Sequence, residues 1–429
     1  MRYLDPGKQL VLILSLLMAQ VAFCAASAET PEPPSVTAGE GGFSIKSADG
    51  AHSLRLRGHL QVDARAYFGS DEHGIADTFI LRSARPYLEG TLYGIADFKL
   101  MPDFGNGKAI IQDAYVKLHP WAWLQLAAGK MKVPFGLERL QAEPSTYLAE
   151  RGLPTALSPN RDIGFVLSSE LLSGALLVEF GLFDGQADNV LTDGDSSDGK
   201  DLVARVFARP FKALNLTGLN GFGIGAAVTW GFENPEGAEI TKYNTPGSQT
   251  FFKYLEKDKD GNGTATQPDG DRLRVTGQLQ YNVAWFGLLA EVVWTQQRFV
   301  AVGETPAGGT TLEHLAWQGV LDFALYGGDS SYEGVKPTAP LALTNPGPGA
   351  FTLAIRYGEL RLDDNTFPTF ANAEKAARVD RSYGGALSWW ANRNLRAVFD
   401  FSRTDFDGGA KGGDRASENI FTTRLQLSF

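Results

Sequence analysis

Thiols are all but missing. The chain holds 1 cysteine in 429 residues, Cys24, and it follows Phe23 near the N-terminus. A lipoprotein attachment site needs a small residue directly before its cysteine, so lipid anchoring there is excluded. Without Cys24 there is no disulfide and no thiolate metal site. Long apolar runs are also scarce. The run from Leu10 to Met18 falls well short of the roughly 20 residues that a membrane-crossing helix needs, and no later stretch approaches that length. Positive charge is not in excess, since 39 Lys+Arg against 49 Asp+Glu leave a formal charge of −10. Nucleic-acid binding, which needs a basic surface to displace counterions, is therefore disfavoured. The five histidines, His52, His59, His73, His119 and His314, show no paired metal spacing. No G-x-S-x-G elbow marks a hydrolase.

What is present begins with Arg2 and Lys8, an apolar run, and Ala26-Ser27-Ala28. This is the layout of a secretory signal with a small-x-small cleavage site. Residues 1–28 are read as a signal peptide, 29–42 as a short N-terminal segment, and 43–429 as the folded body. Losing Arg2, Lys8 and Asp5 with the signal leaves 401 residues and a charge of −11. A length that would ordinarily suggest several domains is compatible with a single closed β-barrel. The 49 glycines and 11% aromatic content suit repeated strands and turns.

From Leu54 the sequence LRLRGHLQVDARAYF alternates strictly. Leu54, Leu56, Gly58, Leu60, Val62, Ala64, Ala66 and Phe68 fall on one face, and Arg55, Arg57, His59, Gln61, Asp63, Arg65 and Tyr67 on the other. A period of two sends successive side chains to opposite sides of a strand. Soluble strands usually stop after about 5 or 6 residues, whereas a tilted membrane-crossing strand needs about 9 to 11. The pattern recurs around Lys99, Lys117, Arg205, Arg272, Arg274, Arg356 and Arg396. It ends in NIFTTRLQLSF, where Phe421, Thr423, Leu425, Leu427 and Phe429 oppose Thr422, Arg424, Gln426 and Ser428. A terminal aromatic on the lipid face is the kind of signal that barrel-insertion machinery reads. Tight turns such as Leu92-Tyr93-Gly94 and Asn282-Val283-Ala284 alternate with long connections at 133–160, 189–200, 235–271 and 367–380. Short inner turns and long outer loops are the habit of outer-membrane barrels. The expected fold is all-β, a transmembrane antiparallel β-barrel. At roughly 25 residues per strand with its share of loop, the mature length gives about 16 strands.

Three stretches, FILRSARPYLEGTL (79–92), QDAYVKL (112–118) with GKMKVPFGLERL (129–140), and SPNRDIGF (158–165), resemble the phosphate-selective porin O and P family, as does the closing FTTRLQLSF. The resemblance covers essentially the whole mature chain. It implies a trimeric 16-stranded barrel in the bacterial outer membrane, with a constriction loop after KVPFGLE folded into the lumen and basic residues passing anions, phosphate or polyphosphate foremost.

A channel selects anions by placing cations where a hydrated anion sheds part of its water. Arginine suits phosphate because its fork donates two parallel hydrogen bonds. The candidates on the polar strand faces are Arg55, Arg57, Arg65, Lys99, Lys117, Arg205, Arg272, Arg274, Arg356, Arg396 and Arg424. In the loop after KVPFGLE they are Arg139, Arg151 and Arg161. The alternative role for these cations is pairing with lumen acids such as Asp63, Asp97, Asp113, Glu179, Glu291, Asp322 and Asp400, which would leave a weakly selective general porin. The loop itself carries Glu138, Glu143, Glu150 and Asp162 beside its arginines.

Two look-alikes remain. Asp258, Asp260, Asn262, Thr264 and Asp269 follow calcium-loop spacing around Gly263, so a structural Ca²⁺ is a candidate there, although no helices flank it and Asp replaces the usual final Glu. Gly194 to Lys200 imitates a phosphate loop, but Asp201 replaces the required Ser or Thr. No other cofactor is implied. A rim hydrolase on the same barrel is the rival of another class, because a site split across strands leaves no local motif. A soluble secreted β-sandwich binding glycans is the second rival.

Overall fold

Strands that turn every second side chain toward hydrocarbon can satisfy their backbone groups only by pairing side to side until the last meets the first. The chain does this in a computed structural model that describes residues 33–69, 76–191, 194, 198–214, 216, 218–233, 240–256, 265–302 and 309–429. The signal at 1–28 lies outside the described residues.

Two short strands, β1 (Ser35–Gly39) and β2 (Gly42–Lys46), form a hairpin. The ring then begins with β3 (Ser53–Phe68), β4 (Thr78–Leu92), β5 (Ala96–Asp103), β6 (Ile110–Trp121), β7 (Leu124–Lys132), β8 (Arg161–Leu171), β9 (Leu176–Phe183), β10 (Asp201–Ala208) and β11 (Gly223–Glu233). A separate pair, β12 (Lys242–Asn244) and β13 (Thr250–Lys253), sits in the following loop. The ring resumes with β14 (Ala265–Val283), β15 (Phe286–Val302), β16 (Gly309–Tyr326), β17 (Ala350–Arg361), β18 (Ala377–Trp390) and β19 (Leu395–Ala410). After the two-residue β20 (Gly413–Asp414) comes the closing β21 (Glu418–Ser428).

Each ring strand pairs antiparallel with its neighbours in sequence, and β21 closes on β3 from Asn419↔Phe68 to Ser428↔His59. Sixteen strands make the closed barrel. The hairpin strand β2 continues beyond β21 on the same edge of β3, pairing Phe43↔Leu56 to Lys46↔Ser53. Of the body that the sequence places at 43–429, the ring itself starts at Ser53, and residues 43–46 extend its edge. Phe429 exchanges backbone hydrogen bonds with Gly58 at 3.0 and 3.1 Å, and its ring lies over that glycine, where an added Cβ would come within 2.6 Å of the ring tip and make the ring shift. β14 starts at Ala265, earlier than its turn-rich TQPDGD suggests, because that stretch still pairs with β15 across an irregularity between Pro268 and Arg272.

The burial pattern inverts that of a soluble protein. On β21, Leu425 is 56% exposed while its polar neighbours Arg424 and Gln426 are 2% exposed. Val275, Ile355, Phe399 and Phe401 likewise look outward, and Arg274, Arg356 and Asp400 look inward. An exposed apolar surface of this continuity marks contact with lipid. It also removes the β-sandwich reading, which needs those apolar faces packed against each other.

Candidate functional site

The interior is built around two loops that turn inward. Segment 133–160 contains one helical turn, α1 (Leu137–Leu140), and two tighter turns, Glu143–Ser145 and Leu153–Leu157, in which Pro144 and Pro154 stand second. Proline suits the opening of a helical turn because its missing N–H would be unpaired there anyway. The N-terminal N–H groups of α1 find no cap in the loop; Leu137 and Glu138 donate instead to Glu291 of β15, at 2.5 and 3.3 Å. The loop is thus tied to the far wall from its first turn.

Further ties come from inward side chains of other strands. Gln318 on β16 donates to Glu138 at 2.8 Å, and Arg356 on β17 to the Glu150 carbonyl at 2.7 Å. Asp400 on β19 accepts from the Ala149 N–H at 2.9 Å, and Arg396 donates to the Thr146 carbonyl at 2.8 Å while stacking 4.1 Å over Trp390. Arg424 on β21 reaches the Ala149 carbonyl. Glu150 is gripped by three guanidiniums, Arg65 at 2.7 Å, Arg82 at 2.8 Å and Arg424 at 2.8 Å. Burial would raise this carboxyl, yet the arginines overcome it and hold it well below the ordinary carboxylate range.

Around the root of the loop, cations gather. Lys132 donates to the Leu140 and Gln141 carbonyls at 3.2 and 2.9 Å. Arg151 donates to the Glu138 and Gln141 carbonyls, and its nearest carboxylate, Glu143, is 3.9 Å away. Arg139 is buried, donating to the Thr155 carbonyl and to Asn189. Burial, followed by the fields of Arg151 and Arg161, pulls its guanidinium down to about 9. Arg161 pairs with Asp113 at 2.7 Å. The structure therefore brings Arg139, Arg151 and Arg161 together, as the sequence reading grouped them, but Arg139 points into the loop's own packing.

Arg55 and Arg57 share Glu89 at the inner end of β3, at 3.9 and 3.2 Å. Arg65 and Arg424 meet Asp63. Lys99 pairs with Asp113 at 3.0 Å and Lys117 with Asp97 at 3.5 Å. Arg205 meets Glu179 at 2.8 Å. Arg272 and Arg274 form a buried network with Asp188, Asp201 and Glu233. Arg356 lies 3.8 Å from Glu138.

An open space of about 730 Å³, a vestibule below the loop, is bounded by Lys99, Lys117, Lys132 and Arg161 together with Tyr87, Asp113 and Glu143. Above it, a hairpin of the loop after β11 crosses the mouth. Tyr67 on β3 donates to the Gly247 carbonyl at 2.8 Å and Thr245 donates to Glu418 at 2.8 Å. Tyr243, Phe251, Phe252 and Tyr254 are buried there against Phe299, His314 and Phe370. The Tyr254 hydroxyl is 2.8 Å from His314.

Sequence reasoning missed Arg82, Arg85, Lys132 and the turn carrying Tyr332. Arg82 is the extra residue of a bulge between Gln61↔Ser83 and Val62↔Leu81, so simple alternation places it on the wrong face. The dense RSAR run was the available signal. Of the calcium positions, Asp258, Asp260, Asn262 and Thr264 lie outside the described residues, and Asp269 pairs with Arg298 at 3.2 Å. Among the described residues no cluster of three His, Cys, Asp or Glu groups is placed to hold a metal.

A closed barrel with an apolar outer face and a charged lumen crossed by an inward loop defines an outer-membrane porin. The family model described as phosphate-selective porin O and P matches residues 54–429, and the chain belongs to that family. Among solved structures, the fold is similar to the outer membrane channel DcaP of Acinetobacter baumannii, with a TM-score of 0.57, 12% identity, and 90% of this chain and 99% of that chain covered. It is also similar to OmpT of Vibrio cholerae in a trimer form, with a TM-score of 0.55, 11% identity, and 88% and 100% covered. A comparison with curated proteins by sequence finds no match. Family and neighbours support an outer-membrane location.

Proposed function

We propose that the protein lets small anionic solutes diffuse passively through the outer membrane, with phosphate or polyphosphate preferred, and performs no covalent chemistry. The observation that carries this is the gathering of Lys132, Arg139, Arg151 and Arg161 at the loop root, where Asp113 and Glu143 are the carboxylates that pair with them. A permeating ion feels this local excess rather than the acidity of the whole chain, because outer-loop charges beyond a Debye length of about 8 Å are screened. Segment 133–160 acts as the constriction. Ion pairs along the remaining wall keep it rigid; if they dominate, the channel is a general porin of weak preference. Reversal potentials in planar bilayers under a KCl gradient test the reading, followed by phosphate titration of the chloride current. Arg151→Ala lowers the anion preference; an unchanged reversal potential removes it from the filter.

The working form in this reading is a homotrimer, as in the neighbour whose description gives a trimer form. Strands β5, β9 and β10 have 8 residues each. At about 3.3 Å per residue and a tilt near 45°, such a strand rises about 19 Å, less than the roughly 25 Å apolar band of such barrels. Contact with neighbouring copies along this low arc shields it from lipid. Residues 1–28 direct export and are cleaved, and the strand ending at Phe429 engages the insertion machinery. A calcium ion at 258–269 would compete with Arg298 for Asp269.

A further inference from the structure

The outer face of the wall changes character from one row of side chains to the next. On β16 to β19 and β21 the register sets Leu321, Ile355, Gly385, Phe401 and Phe421 side by side, an apolar row continuous with the lipid face. One step toward the long outer connections the same strands present Tyr357, Tyr383, Arg403 and Asn419, and the step after that presents Trp317, Glu359, Arg381 and Asp405. The boundary between hydrocarbon and headgroups therefore falls between the first row and the second. This face lies across the ring from β5, β9 and β10, so it stays open to lipid in the proposed trimer.

Beyond that boundary the charges form a ladder. Arg381 is fully spent, its two terminal nitrogens donating to Asp407 at 2.7 and 2.8 Å and its Nε to Glu359 at 3.1 Å. Arg361 and Arg403, both exposed, flank it with donors to spare. Arg361 gives one nitrogen to Glu359 at 3.0 Å and makes no other hydrogen bond among the described residues. Arg403 uses its terminal nitrogens on Asp405 at 2.8 Å, Ser417 at 3.1 Å and Asn419 at 3.5 Å, and its Nε has no partner among the described residues. Beside the ladder run three rings, Trp317, Tyr357 and Tyr383, with successive centroids 5.2 and 5.1 Å apart. Three arginines and three carboxylates leave the ladder neutral, so it does not draw in a bare anion. It suits a layer in which phosphates alternate with divalent cations, since guanidinium forks donate to phosphate oxygens and half-exposed Asp407 offers oxygen to a cation.

We infer that the outer wall of β17 to β19 is a docking surface for a phosphorylated glycolipid of the outer leaflet, with Arg361 and Arg403 on its phosphates and Tyr357 and Tyr383 against its sugar rings. The occupant follows from position. The apolar row beneath the ladder meets acyl chains, so the molecule that fills the ladder carries those chains itself. A plain phospholipid would satisfy the arginines and leave the rings bare, whereas a phosphorylated sugar headgroup covers both, because aromatic rings at this level of a membrane present an apolar face and a polar edge. The surface looks away from the lumen and is independent of what the channel passes.

The test is lipid retention by the full chain, purified in mild detergent with Mg²⁺ and weighed by native mass spectrometry after exposure to a bisphosphorylated, acylated glucosamine disaccharide or to phosphatidylglycerol. The wild type should hold the disaccharide lipid at concentrations roughly tenfold below those needed for phosphatidylglycerol. Arg361→Gln with Arg403→Gln should weaken retention of the disaccharide lipid roughly tenfold, the effect of losing one charge-assisted contact. The same variant should leave KCl conductance unchanged, because both side chains face outward. Tyr357→Leu with Tyr383→Leu keeps every ion pair and should erase the preference for the disaccharide lipid while leaving phosphatidylglycerol as it was; it decides the matter if the arginine variant does not fold. Equal retention of the two lipids by the wild type overturns the proposal, as does retention of the disaccharide lipid that survives either pair of substitutions.

Discussion

The two sides of the barrel wall use the same residue types to different ends. From β14 to β21, reaching on to β3 and β4, the inward charges are spent on the chain itself: Glu291 holds α1, Arg396 and Arg424 hold loop carbonyls, and Asp400 accepts from Ala149. From β5 to β8 the inward cations Lys99, Lys117 and Arg161 border the open vestibule. Strand length follows the same division, with 19, 17 and 18 residues in β14, β15 and β16 against 8 in β5. In the proposed reading the tall arc is a scaffold that positions two loops, and the low arc with the loop root is the surface an ion meets. The lesson is that a charged lumen residue is informative only when its partner is known, since arginines of equal sequence context serve opposite roles.

The strongest way to break this comparison is to remove the scaffold's anchor. Glu150→Ala takes the shared partner from Arg65, Arg82 and Arg424. Breaking one side of a buried charge cluster costs roughly 3–5 kcal/mol. The expected result is a loosened segment 133–160, seen as larger and noisier single-channel conductance together with a lower unfolding temperature. Wild-type conductance in this variant would show that the segment does not control the aperture. Phe252→Ala comes next in size. It empties part of the aromatic packing that seats the outer hairpin, a change that typically costs about 3–5 kcal/mol when the site cannot collapse, and less at the edge of a loop that can adjust. Limited proteolysis from the outer side should then cut within 234–264 sooner than in the wild type.

A change on the low arc should do the reverse, altering selectivity and leaving stability alone. Lys99→Gln with Lys117→Gln removes two cations that are about one quarter and one third exposed and whose pairs with Asp113 and Asp97 therefore contribute little to stability. The anion-to-cation permeability ratio should fall by a few-fold, on the order of 1 kcal/mol, with an unfolding temperature close to wild type. A fall in stability as large as that of Glu150→Ala would erase the distinction between the two arcs.

Much of this was legible from the amino-acid order. The alternation from Leu54 to Phe68 gave β3 almost to its ends, and NIFTTRLQLSF gave β21, because lipid outside and water inside impose a strict two-residue period. The strand count followed from length, and the loop after KVPFGLE from family likeness. Pairing was not legible. Nothing local in the sequence says that Glu150 meets Arg65, Arg82 and Arg424, since the four lie on three strands and a loop that only the closed ring brings together. The bulge that turns Arg82 inward likewise breaks the period that made the rest readable.

The smallest expected effect concerns pH. Burial works against charge on Glu143 and Glu150, but the neighbouring arginines, Arg85 and Arg82 for the first and Arg82 and Arg424 for the second, hold both well below the ordinary value of 4.5. A carboxyl depressed in the folded state contributes stability that is complete above its unfolded value and is lost only as pH falls from there toward the folded one. The grip of the arginines on Glu143 and Glu150 should therefore be indifferent to acid through the range in which free carboxylates begin to titrate. Conductance at fixed salt should stay flat from neutral pH down to about 5, and noise from loop release should appear only below 4.5. Noise that set in near pH 6 would mean that a different group holds the loop, and Glu291, which accepts from the N–H groups of α1, would be the one to replace.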